Sequence, residues 1–253
     1  GMTYSMYNSW GFTKADFALA ALVSGVWNNF AKLGFPIVAL ALLAFAGDAG
    51  PALIIAALIG LAVLIGAVVL LALILRSEAM AAAVGSLLER VVSGFKRLIR
   101  RPPTSGWAEA AVRFSSQTSG LLHDRWLRIT VATLVSHTSL YLVLLIALRH
   151  VGISDAEVSW ITVLAGFSFV RLISALPITP GGVGIVELGY AAYLSIGLDD
   201  ISAAQVVADV LVFRFITYFL PVPFGAAAYV FWRRNRSWRR QAPDLEEPAP
   251  AGS

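Results

Sequence analysis

The sequence predicts an all-α polytopic membrane helix bundle with broken or re-entrant half-helices, and three observations carry that prediction. Composition comes first: of 253 residues, 58% are hydrophobic and 13% charged, with a mean hydropathy of +0.77. Soluble domains run about 45–50% apolar and about 25% charged. Second, several apolar stretches approach the ~20 residues that cross a bilayer. Third, the run Pro177-Ile178-Thr179-Pro180-Gly181-Gly182-Val183-Gly184-Ile185-Val186-Glu187 sets prolines, glycines and a carboxylate inside a hydrophobic region. Irregular backbone at membrane depth survives only when buried in protein or lining a watery cavity, and transporters build substrate sites from such broken helices.

Along the chain, residues 16–46 form a long apolar segment with Asn28, Asn29 and Lys32 near its middle. A break is expected at Gly34-Phe35-Pro36, because proline removes an amide donor and clashes with the preceding turn. Residues 51–75 are the cleanest spanning helix, free of charges and amides, with Pro51 suited to the first turn and Arg76 marking the end. Residues 76–128 are basic, and Leu87/Leu88, Val91/Val92, Phe95 and Leu98/Ile99 recur at helical spacing. That pattern predicts an amphipathic helix on an anionic membrane surface, with a packed loop as the alternative. A second amphipathic stretch follows Pro102-Pro103, through Trp107, Phe114 and Leu121/Leu122.

Residues 126–148 are expected to span, with Thr130, Thr133, His137 and Tyr141 along one face, and residues 157–176 to span again, ending near Arg171. After the Pro-Gly run come a short apolar stretch, 185–198, and a long one, 202–232, expected to break at Pro221-Val222-Pro223. The 14 residues of 185–198 reach only about 21 Å, short of the ~30 Å hydrocarbon core, so they are half of a crossing begun at membrane depth. Six crossings result. The chain reads as one transmembrane domain, 1–240, with a disordered Pro/Ala/Glu-rich tail, 241–253. Basic residues in 76–128 and 233–240 place both on the cytoplasmic side, whereas Asp48, Asp155/Glu157 and Asp199-Asp200 mark the outer side.

The absence of cysteine excludes disulfides, thiolate metal sites and cysteine nucleophiles. The three histidines have no metal-ligand spacing, so neither metal nor cofactor is expected. The net charge of +4 lies outside the apolar segments, which speaks for membrane orientation rather than nucleic acid.

A shift of 186 positions brings two segments into register: Tyr4 meets Tyr190, Tyr7 meets Tyr193, Ser9 meets Ser195, Gly11 meets Gly197, and Pro36 falls beside Pro221 and Pro223. An odd number of crossings separates the copies, so an inverted-topology repeat is expected, as in secondary transporters. The first copy lacks a preceding Pro-Gly run, which reads as truncation upstream of Gly1.

The Leu176–Glu187 segment, Ser9-Trp10-Gly11-Phe12, Trp27-Asn28-Asn29, and Phe213-Arg214 with Tyr218 and Leu220-Pro221 together resemble the lysylphosphatidylglycerol synthase transmembrane-region family. The resemblance implies a multi-pass protein of the bacterial inner membrane, with a flippase role by extension from the fused synthases. No aminoacyl-transferase domain follows residue 232, so the synthase reaction is not expected.

Candidate binding residues follow from the cost of polar groups in a bilayer. Glu187 comes first, either contacting substrate or serving as a first-turn acid favoured by the helix dipole. Arg171 and Arg214 can clamp a lipid phosphate or neutralise Glu187, and Tyr218 shares a face with Arg214. Asn28 and Lys32, four apart, can line the same cavity. The amides of Gly181, Gly182 and Gly184 can cradle an anionic headgroup. The leading expectation is a non-enzymatic phospholipid transporter whose partners are lipid, membrane and either a second copy or a partner enzyme. The alternatives are an intramembrane enzyme, which would need an acid cluster, and a scaffold that docks a synthase or glycosyltransferase through 76–128.

Overall fold

The computed structural model describes residues 2–47, 50–98, 105–175 and 179–235, and these form helices joined by short turns. The tail 241–253, the Arg236, Arg239 and Arg240 cluster, Pro102-Pro103, Asp48 and Leu176–Ile178 lie outside the described residues.

Helix α1 (Met2–Ser9) packs its aromatic rings on the start of α2 (Lys14–Ala46). A capping box opens α2: Thr13 Oγ1 accepts from the Asp16 amide at 3.1 Å, and Asp16 Oδ2 accepts from the Thr13 amide at 2.9 Å. Gly47 closes it in the left-handed conformation, φ 84°. The break expected at Gly34-Phe35-Pro36 does not occur, and the helix runs through Pro36 unbroken. Pro36 is buried among neighbouring helices, a setting in which a proline can remain in a membrane helix without ending it.

Helix α3 (Pro51–Arg76) returns antiparallel to α2, with Gly60 against Ile37 and Gly34 against Leu64. None of its residues whose burial is described is buried. Residues 76–128 differ from the surface-lying helices expected. Helix α4 (Glu78–Leu98) folds back on the first third of α5 (Trp107–His150), one continuous helix of 44 residues, about 66 Å long. The contact is close: a Cβ on Gly85 would stand 2.8 Å from Ala108 Cα, and Glu89 Oε2 accepts from the Trp107 amide at 3.0 Å. The small residues of α4 serve this packing, whereas its Leu87, Leu88 and Val91 stay exposed.

Ser115 and Ser119 tie this hairpin to the bundle. Their hydroxyls donate to the carbonyls of Ile74 at 2.7 Å and Leu75 at 2.8 Å, groups that the end of α3 leaves without helical partners. At about 1 kcal/mol per bond, Ser115→Ala with Ser119→Ala should lower unfolding stability in detergent by about 2 kcal/mol. Amide exchange at Arg76 and Ser77 should rise in the same variant.

The second half of the chain contains the main correction to the expected topology. Helix α6 (Trp160–Ile173), capped by Ser159, has only 14 residues, and α7 (Ile185–Leu194) has 10, about 21 Å and 15 Å. They run antiparallel and close together: a Cβ on Gly166 would come within 2.7 Å of Tyr193, and one on Gly189 within 3.0 Å of Val170. Small residues permit this approach between apolar helices. The pair is a re-entrant hairpin whose tip carries the Pro-Gly run, so residues 157–176 do not span by themselves.

Helix α8 (Asp200–Arg214), capped by Asp199, leads into a π-helical turn (Phe215–Phe219) and then α9 (Pro221–Arg234). The Leu220 amide reaches back five residues to the Phe215 carbonyl at 2.8 Å. Pro221 and Pro223 supply no amide donors just beyond, and the wider turn absorbs their rings. Among the described residues, four helical stretches are therefore long and apolar enough to cross a membrane: 14–46, 54–76, 125–150 and 200–234. The hairpin sits among them, and the common core joins Leu40, Leu43, Leu144, Leu148, Phe167, Tyr190, Leu194, Val206 and Phe213.

The two ends of the bundle differ in charge. Lys14, Arg76 and the Arg233-Arg234 pair lie at one end, and Asp155, Glu157, Asp199 and Asp200 at the other. Hydrogen bonds from the Ser154 hydroxyl and amide hold Glu157 below the usual carboxylate range, and those from the Ser202 amide and hydroxyl do the same for Asp199.

The 186-residue correspondence reappears in backbone geometry. Gly11 and Gly197 both adopt positive φ, 85° and 79°. Thr13 and Asp199 are both N-caps, and α2 and α8 begin at the corresponding positions Lys14 and Asp200. The copies point oppositely. Helix α2 runs parallel to α5, as the Trp27–Thr130 and Phe35–His137 contacts show. Helix α8 runs antiparallel to α5, with Gln205 beside Gly152 and Ser202 bonded to Glu157.

Candidate functional site

The hairpin tip meets the middle of the α8–α9 stretch around a cavity of about 290 Å³, lined by Lys32, Arg171, Ser174, Gly181, Tyr190, Arg214, Thr217 and Tyr218 among others. Arg214, on its wall, is in an ion pair with Glu187, which does not itself line the cavity. Arg214 Nε donates to Glu187 Oε1 at 2.6 Å, with side chains 9% and 21% exposed. Arg214 Nη2 also donates to the Gly181 carbonyl at 3.3 Å, and the guanidinium stands 4.5 Å from the centre of the Tyr218 ring. The second carboxylate oxygen, Glu187 Oε2, accepts from the Gly184 amide at 2.7 Å. Glu187 therefore fastens the start of α7 to α8 from the third position of its helix, where the helix dipole favours a carboxylate.

The glycines of the expected anion cradle also act through conformation. Gly181, Gly182 and Gly184 have φ of 66°, 70° and 84°, a region that side chains rarely adopt. The Gly182 amide donates to the Thr179 carbonyl at 3.1 Å, and the Gly184 amide is held by Glu187. Neither amide is left for a ligand. Asn28 is also displaced from the expected site: it is exposed, bonds the Ser24 carbonyl at 2.9 Å, and does not line the cavity. Lys32 and Tyr218 do line it.

The cavity also holds unpaired donors. Arg171 Nε and the Tyr190 hydroxyl are buried with no hydrogen-bond partner, and Tyr190 is 0% exposed. Among the described residues, neither Arg171 nor Lys32 is in an ion pair with a carboxylate. Buried polar groups are nearly always satisfied, and exceptions call for a reason.

Residues 3–225 match the family model described as the lysylphosphatidylglycerol synthase TM region. The chain belongs to that family. The match includes every residue named around the cavity. With four apolar helices of spanning length, family membership makes the chain a multi-pass membrane protein. A UPF0104 membrane protein of Methanocaldococcus jannaschii is 38% identical over 64 residues, which is 25% of this chain and 26% of that protein. The match thus spans about a quarter of that relative's length. No solved structure matches.

This family member has a second, contrasting cavity of about 710 Å³ between α2, α3 and α5, lined by Trp27, Phe30, Phe35, Leu64, Val68 and Leu134 among others. Its polar groups are turned inward. The Trp27 indole donates to Thr130 at 2.9 Å, Thr130 and Thr133 donate to carbonyls one turn back, and the Tyr141 hydroxyl donates to the Trp160 carbonyl. That leaves an apolar groove, suited to hydrocarbon.

Tyr190, Ser174 and Thr217 were not singled out as site residues by sequence reasoning. Tyr190 carried a usable signal: it lies three residues after Glu187 and so shares its helix face. Asp209, five residues before Arg214, is 0% exposed with neither oxygen partnered, and it does not line the cavity.

Proposed function

We propose that the protein binds a phospholipid headgroup in the cavity at the hairpin tip and carries it across the membrane while the acyl tails stay in the bilayer. The observation that carries this reading is a pocket lined by three cations and unpaired donors, with the carboxylate of Glu187 beside it already paired to Arg214. Buried charges without partners are costly in a bilayer and mark ligand or ion pathways. The apolar groove on the far side of α2 offers a place for a tail. The inverted copies supply two halves whose relative motion would expose the pocket to each leaflet in turn.

The basic end is assigned to the cytoplasmic face of a bacterial inner membrane by the positive-inside rule, which places the C-terminus there too. The pocket is a carrier site in this reading, not a catalytic one, because its carboxylate is held by two hydrogen bonds. Purified protein in liposomes should accelerate the exposure of inner-leaflet fluorescent phosphatidylglycerol to a membrane-impermeant quencher, and Arg214→Gln should abolish the acceleration. Rates equal to those of empty vesicles across anionic and zwitterionic lipids would overturn the reading.

A scaffold role has one observation in its favour: the α4–α5 hairpin leaves Leu87, Leu88 and Val91 exposed beside Arg90. Deleting residues 79–125 should abolish partner capture if the hairpin is a scaffold, and should leave lipid binding intact if the carrier reading holds.

A further inference from the structure

The same pocket also points to which headgroup it accepts, an inference that rests on the carrier reading above. The decisive feature is the distribution of acceptors. Among the described residues no carboxylate lines the pocket, and Glu187, beside it, has both oxygens engaged, one by Arg214 Nε at 2.6 Å and the other by the Gly184 amide at 2.7 Å. The Tyr218 ring, the pocket's aromatic face for a cation, already carries the Arg214 guanidinium at 4.5 Å. Asp209 is on the same helix but does not line the cavity. An ammonium group entering this space would find no free carboxylate.

Donors are in surplus. Lys32, Arg171 and Arg214 face one carboxylate, leaving two positive charges uncompensated. Arg171 Nε and the Tyr190 hydroxyl, both buried and unpartnered, add directed hydrogen-bond donors. Guanidinium groups match the geometry of phosphate oxygens, and charge-assisted bonds of this kind are the strong ones. A cavity of about 290 Å³ is at the small end of the range for ligand sites, about 300–1,000 Å³. It suits a phosphate with a glycerol-sized substituent better than one extended by an amino acid.

We propose that the pocket recognises the phosphate of an anionic lipid that carries no compensating amine, so that it discriminates against aminoacylated headgroups. Net negative charge on the headgroup sets the order of affinity: phosphatidic acid, then phosphatidylglycerol, then phosphatidylcholine, with lysylphosphatidylglycerol no better than phosphatidylcholine.

The test is equilibrium binding of these four lipids to the full chain in detergent, with glycerol 3-phosphate and inorganic phosphate as soluble competitors. Phosphatidylglycerol should bind at least about tenfold more tightly than its lysyl ester, and Arg171→Gln should reduce that preference to about twofold or less. Lys32→Gln provides a second variant should Arg171→Gln fail to fold, and should reduce the preference in the same direction. Lysylphosphatidylglycerol binding as tightly as phosphatidylglycerol, or more so, would overturn this inference and leave the lipid-carrier reading standing. Binding of no lipid at all would overturn both. Soluble phosphates that match the lipids in affinity would uphold the phosphate chemistry and overturn the lipid source.

Discussion

Glu187→Ala is expected to destabilise the protein by about 3 kcal/mol, the cost of leaving one member of a buried pair uncompensated. With the carboxylate gone, Arg214 keeps a single carbonyl at 3.3 Å and the face of Tyr218, and the Gly184 amide at the start of α7 loses its acceptor. Arg214→Ala should cost a similar amount by stranding Glu187. The double variant should fall short of the sum by more than about 1 kcal/mol, because the two side chains touch. Unfolding of the four proteins in a mild detergent, titrated with a denaturing one, measures this coupling. Additive losses would show that the pair does not join α7 to α8. A functional readout separates roles: Arg214 variants should lose lipid transport, whereas Glu187→Gln, which preserves shape and removes a negative charge, should bind anionic lipid more tightly than the native protein.

Gly181→Ala should have an effect of similar size through a different cause. A Cβ there would fall on the Tyr218 ring, within 2.6 Å of Cε2 and 2.7 Å of Cζ, on a residue with φ 66°. Positive φ costs an L-residue about 1–2 kcal/mol, and forced overpacking adds about 1–3 kcal/mol. Two comparisons divide these contributions. Gly184→Ala has φ 84° but no heavy atom within 4 Å of the added carbon, so it should show the conformational cost alone. Tyr218→Ala should relieve the collision and leave Gly181→Ala in that background about as mild as Gly184→Ala. If Gly181→Ala and Gly184→Ala were equally damaging in the native background, contact with Tyr218 would not be what demands glycine.

The spanning segments were legible because their signal is composition sustained over many residues. Residues 51–75 have no polar side chain before Arg76, and α3 begins and ends within a residue of the stretch read from sequence. Glu187, Arg171, Arg214, Lys32 and Tyr218 were legible because a polar side chain in an apolar segment is conspicuous. The failures share a cause: a local pattern does not name its tertiary partner. Pro36 looked as disruptive as Pro221, yet only the closely spaced Pro221 and Pro223 are preceded by a π-helical turn. The basic, amphipathic 76–128 region suggested a lipid surface, whereas Gly85 fits against Ala108 of a neighbouring helix. The extent of α6 could have been read more closely. Counting from the Ser159 cap to the Pro-Gly run leaves 17 residues, at the lower limit for a crossing. Asn28 was misplaced by treating spacing as direction: four residues from Lys32, it faces outward and bonds its own helix.

The lengths of α6 and α8 have a further consequence. Both start at the acidic end, and both reach the hairpin tip after about 21–23 Å, α6 through its 14 residues and α8 through 15 from Asp200 to Arg214. The tip hangs from one face of the membrane on two tethers of nearly equal length. The basic face has no such tether, since beyond Arg214 only the π-helical turn and α9 continue to it. Bilayers differ in thickness by several ångströms. Any change therefore leaves the tip at constant depth below the acidic face and alters only its distance from the basic one. Measured from that side the molecule behaves as a plumb line: a thinner membrane raises its floor toward the weight.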